Sequence, residues 1–95
     1  MNLYLICFDI TDTKRRNRIG RLLGSYGERV QRSVFEVPLR SDAELRQLRD
    51  ELTQVLRDAE GETSIRFYPL CSRCRAGAHT ADGTPIAESV SALFV

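Results

Sequence analysis

The chain has little that would place it in a membrane or an oxidising compartment. Among its 95 residues no apolar run approaches the roughly 20 needed to cross a bilayer. The opening MNLYLICFDI has no basic segment and no small-residue cleavage site, so it reads as a first strand rather than a leader. Three cysteines, an odd number, argue against a disulfide framework and fit a reducing environment. The cytoplasm is the expected location. The one histidine, His79, lies far down the chain, so no general base is evident beside any other candidate group. Internal repeats, linkers and low-complexity stretches are missing, and residues 1–95 are expected to form a single domain.

Charge is also scarce in net terms, at +1, which taken alone argues against a nucleic-acid binder. Its distribution argues the other way. From Lys14 to Arg32 seven basic residues (Lys14, Arg15, Arg16, Arg18, Arg21, Arg29 and Arg32) face one acid, Glu28. From Ser41 to Glu62 seven acids face three arginines. One surface is therefore basic and another acidic. Lys14 is the only lysine; the other basic residues are arginines, whose planar fork matches phosphate oxygens. A solvated helix face would carry the same run, so charge alone does not decide.

With 42% hydrophobic and 28% charged residues, the chain is an ordinary globular domain. Leu3 to Phe8 is apolar on both sides and suits a buried strand. Asp12 is placed to cap a helix whose stripe is Ile19, Leu22, Leu23 and Tyr26, with Gly27 ending it. Arg29 to Leu39 reads as extended chain bent near Arg32–Ser33 into two short strands. Ser41 and Glu44 have capping-box spacing and open a second helix lined by Leu45, Leu48, Leu52, Val55, Leu56 and Ala59, which Gly61 stops. Thr63 to Leu70 is a further strand, 71–85 a loop, and 86–95 a final strand. The order predicts an α+β, ferredoxin-like fold, β-α-β-β-α-β plus a C-terminal strand, with two helices on one face of an antiparallel sheet. Apolar residues on both sides of the first strand call for a cover on the other face, which a homodimer supplies.

Two clusters carry chemistry. Cys71 and Cys74 form a C-x-x-C, consistent with paired structural thiols, with zinc given further ligands, or with redox chemistry between a strand and a helix. Asp9 closes the first apolar run just before Lys14, Arg15 and Arg16. It reads either as a turn carboxylate accepting backbone N–H groups or as a metal ligand beside a phosphate-binding surface. Phe35 suits a core position or a stacking one, and Ser33 suits the bend.

The stretches FDITD, KRRNRI, YGERVQRSVFE and SIRFYPLCSRC, in this order, resemble the CRISPR-associated protein two family. That family is the small subunit of the spacer-acquisition machinery and is also described as a metal-dependent endonuclease. The resemblance implies a ferredoxin-like homodimer in which Asp9 of each subunit lies near the dimer axis. It implies Mg2+ (or Mn2+), one ion shared there, with Asp9 as ligand and catalytic residue. It carries over Arg16, Arg18, Arg29 and Phe35 by position, with Lys14 and Arg15 joining them on the basic run, and Ser33 in support. Phe8 stands where the family often has tyrosine, so no phenol hydroxyl is available there. The implied function is CRISPR adaptation with endonuclease activity on RNA or DNA. The alternative is a non-catalytic scaffold that holds duplex DNA for the CRISPR integrase subunit. An RNA-binding module of the same topology is disfavoured, because the strands lack paired exposed aromatics.

Overall fold

The computed structural model describes residues 2–86. Four strands and three helices follow one another: β1 (Asn2–Ile10), α1 (Thr13–Tyr26), β2 (Glu28–Gln31), β3 (Val34–Leu39), α2 (Asp42–Leu56), β4 (Thr63–Leu70) and α3 (Ser72–Gly77). The strands form one antiparallel sheet in the order β2-β3-β1-β4. α1 and α2 pack on one face, which gives the ferredoxin-like α+β architecture expected.

Alternation along β1 sorts its side chains. Ile6, Phe8 and Ile10 enter the core with Phe35, Val37, Ile19, Leu23, Leu48 and Leu52. Leu5 and Cys7 are half-buried on the opposite, open face, and Asp9 is exposed there. At the head of α1 an Asp12 carboxylate oxygen accepts the Arg15 N–H at 3.1 Å. That backbone hydrogen bond holds the Asp12 carboxyl below its usual range. Gly27 ends α1, but not through a left-handed turn, since its φ is −159°. A Cβ there would lie 2.2 Å from the Glu36 carbonyl oxygen and 2.7 Å from Val37 Cα. The glycine is required by the closeness of β3.

Ser41 caps α2 by accepting the Glu44 N–H, while the Glu44 carboxylate reaches the Arg40 N–H, one residue ahead of the cap. The helix stops at Leu56 rather than at Gly61. Asp58 takes the left-handed conformation (φ 61°), and Ala59 falls outside the helix. Gly61 (φ +83°) lies in the next turn against Thr11. The expected loop at 71–85 is also corrected. It contains α3 and a bridge between His79 and Pro85. The expected strand at 86–95 lies outside the described residues beyond Ile86.

α1 and α2 are joined by a hydrogen bond from the Tyr26 hydroxyl to a Glu51 carboxylate oxygen at 2.6 Å. Burial, with Glu51 beside it, raises the Tyr26 pKa to about 12. A raised folded value favours the neutral phenol, so this contribution is intact below about pH 10 and is lost as pH climbs through about 12. Wild type should therefore lose stability faster than Tyr26→Phe across that window in denaturant titrations. Parallel curves would refute the assignment.

Candidate functional site

β1 runs one residue past Asp9, so the aspartate belongs to a strand rather than to the turn before α1. It pairs with Ser64 of β4, and Cys7 pairs with Arg66. Cross-strand partners share a face, so these four side chains project from the open side of the sheet. With Phe8 and Glu62 they line a shallow depression of ≈ 350 Å³. Thr11 fixes its rim: its N–H donates to the Glu62 carbonyl, and its hydroxyl accepts the Glu62 N–H. Arg66 is held by a hydrogen bond to the Tyr68 hydroxyl at 3.2 Å.

Capping and turn work falls to Asp12, and the Asp9 side chain makes no hydrogen bond among the described residues. Its carboxylate stays open to a ligand. Glu62 is the second carboxylate of the depression. Among the described residues no group of three or more His, Cys, Asp or Glu stands together to hold a metal. One chain thus offers part of a hard-cation site: exposed carboxylate oxygen with room for water and phosphate, but too few ligands alone. The donor type fits a divalent ion of the kind a metal-dependent nuclease needs, provided a second set of ligands is brought to it.

The basic run divides on inspection of its partners. Arg15 is committed inside the chain. Its guanidinium donates to Asp12 at 2.8 Å and to the Val55 and Arg57 carbonyls at 3.1 Å, tying α1 to the C-terminal end of α2. Sequence gave it the same standing as its neighbours, whereas the structure makes it a clamp between helices. Arg16 turns back to the Ile10 carbonyl through a long hydrogen bond of 3.4 Å, which brings its charge to the Asp9 end of β1. Lys14 and Arg18 are exposed and make no ion pair among the described residues.

Arg29 and Phe35 do not meet Asp9. Both lie on the helix side of the sheet, where the Arg29 guanidinium sits 5.1 Å from the centre of the Phe35 ring. It also occupies the space a side chain at Gly20 would need. Phe35 is a core residue, 1% exposed, stacked on Phe8 with ring centres 6.2 Å apart. Phe8 likewise points into the core, so the missing phenol hydroxyl concerns the helix side. Ser33 occupies the bend, and its carbonyl accepts the Phe8 N–H at 3.1 Å, bracing β1 beside Asp9.

Sequence reasoning missed Glu62, Ser64 and Arg66 as neighbours of Asp9. The only signal was the polar phase of β4, which becomes informative once its register against β1 is known.

The family model described as "CRISPR associated protein Cas2" matches residues 1–77. A relative from Chloroflexus aurantiacus, "CRISPR-associated endoribonuclease Cas2 1", is 39% identical over 92 residues, 97% of each chain. Another from Thermus thermophilus, "CRISPR-associated endonuclease Cas2 2", is 41% identical and covers 75% of this chain and 76% of its own. Among solved structures, a chain of a "Partial Cas6-RT-Cas1--Cas2 complex" aligns with TM-score 0.81 and 41% identity. It covers 92% of this chain and 98% of that one. Streptococcus pyogenes Cas2 aligns with TM-score 0.69 and 33% identity, covering 82% of this chain and 96% of its own. On sequence and on fold together, the chain belongs to the Cas2 family of CRISPR-associated proteins.

Proposed function

We propose that this chain acts in CRISPR adaptation as a homodimeric, metal-dependent endonuclease whose site is built from two copies of Asp9. The observation that carries the reading is the exposed Asp9 carboxylate, without an internal partner, on the open sheet face. That face also bears half-buried Leu5 and Cys7, and Tyr68 at 43% exposure. Pairing two such faces would cover apolar surface and bring two carboxylates together. Mg2+ or Mn2+ shared between them would polarise a phosphodiester oxygen and ease ionisation of an attacking water. Arg16, beside the end of β1, and Arg66, across from Cys7, are placed to hold phosphate oxygens and to offset charge developing on them.

A second reading is favoured by the exposed cations. Lys14 and Arg18, with Arg16 and the edge residue Arg29, make a surface for duplex DNA that needs no cleavage. The relative seen in a complex with Cas1 fits a scaffold that presents DNA to that integrase subunit. Both roles belong in the cytoplasm, where DNA and RNA are found.

Cleavage of labelled RNA and of duplex DNA by the purified dimer, with magnesium, manganese or a chelator, tests the first reading. Cutting that the chelator stops supports it; the absence of cutting hands the function to the scaffold. The double substitution Arg16→Glu and Arg18→Glu tests the second. Duplex binding should weaken, and the log–log salt slope should fall by about 2 per chain. An unchanged slope would remove these arginines from the interface.

A further inference from the structure

The thiols of Cys71 and Cys74 stand 3.5 Å apart, both exposed, just beyond the end of β4 opposite to the one that pairs with Asp9. Cys71 is the residue between the end of β4 and the start of α3, and Cys74 lies one turn into that helix. The pair therefore has the strand-to-helix setting in which a C-x-x-C exchanges disulfides. Zinc does not explain it within this chain, since no third ligand joins the two sulfurs among the described residues. His79 directs its Nδ1 to the Gly77 carbonyl at 3.0 Å.

We infer that Cys71 and Cys74 form a redox-active dithiol that closes to an intramolecular disulfide by exchange with small-molecule disulfides. The juxtaposed, solvent-open sulfurs carry the inference. Closing the bond needs the sulfurs to approach from hydrogen-bond contact, a movement within reach of side-chain rotation at exposed positions.

The order of events follows from the two environments. Cys71 is the N-cap residue of α3, and the nearby Cys74 and Arg73 backbone N–H groups lower its thiol pKa, while the neighbouring Cys71 raises that of Cys74. Cys71 is thus the attacking thiolate and Cys74 the resolving thiol. The Cys71 sulfur attacks one sulfur of the small disulfide, whose S–S bond breaks and releases one thiolate. The mixed disulfide on Cys71 is then attacked by Cys74, which gives up its proton to solvent, and the second small thiolate leaves. Two cysteine thiols are oxidised with loss of two electrons and two protons, and one small disulfide is reduced to two thiols. The product ring spans the first turn of α3 and fixes the chain as it leaves β4. In a reducing compartment the dithiol is the resting form, and the disulfide records oxidant.

The test uses the full chain, fully reduced and then held in glutathione buffers of graded disulfide content. After acid quenching and alkylation, the mass should show loss of two hydrogens with only Cys7 labelled, and peptide mapping should join Cys71 to Cys74. Cys74→Ser should accumulate one glutathione on Cys71. Cys71→Ser should react with glutathione disulfide about tenfold more slowly than Cys74→Ser. Stable glutathione adducts on the wild-type pair, cross-linked dimers on a non-reducing gel, or both thiols surviving oxidising buffer would each overturn the inference.

Discussion

Asp9→Asn is expected to leave the fold and the proposed dimer intact and to lower the proposed metal-dependent cleavage by a factor on the order of 100 or more. The fold should survive because the Asp9 side chain is exposed and makes no hydrogen bond among the described residues, while the strand around it is fixed by β3, β4 and the Ser33 carbonyl. Activity should fall because an amide keeps the shape but removes the charge, and in a symmetric dimer it does so twice. Duplex binding should hold or tighten, since a negative charge leaves a surface that meets phosphate. Nuclease assays would be run beside thermal melting and sedimentation. Equal cutting by both proteins would move the chemistry off this residue and leave the DNA-holding role.

The largest stability effect is expected at Gly27→Ala. A Cβ placed 2.2 Å from the Glu36 carbonyl and 2.7 Å from Val37 Cα meets backbone rather than a flexible side chain. β3 cannot retreat without disturbing its ladder to β1, which runs from Asn2–Leu39 to Cys7–Val34. Such overpacking should cost about 3 kcal/mol or more, or about 15 °C in Tm for a domain of this size. Gly77→Ala is the matched comparison, because nothing lies within 4 Å of its added Cβ. It should melt within a few degrees of wild type. Similar melting of the two variants would show that α1 and β3 are less tightly apposed than described.

Much of this was legible in the sequence, for local reasons. Period and caps announced both long helices, the bend at Arg32–Ser33 divided the hairpin, and the bounds of β4 followed from alternation. The end of α2 was not legible, since Asp58 adopted the left-handed conformation three residues before the glycine expected to provide it. α3, at six residues, is too short to show an apolar period. Within the site, a run of cations looks uniform until carbonyls at the end of another helix claim Arg15. The separation of Asp9 from Phe35 and Arg29 depends on which face each strand position takes, and Glu62 and Arg66 join Asp9 through pairing of segments far apart in sequence.

The position of β1 in the sheet sets the timing of the site. It is the earliest strand in the chain, yet it lies between β3 and β4, and both must be synthesised before it is fully paired. Until β4 emerges, the edge of β1 that it will cover keeps its backbone N–H and C=O groups open to pairing with other nascent chains. A polypeptide halted between α2 and β4 would have both long helices and the β2–β3 hairpin but no lasting depression around Asp9. The residue proposed to do the chemistry is read early by the ribosome and put in place among the last.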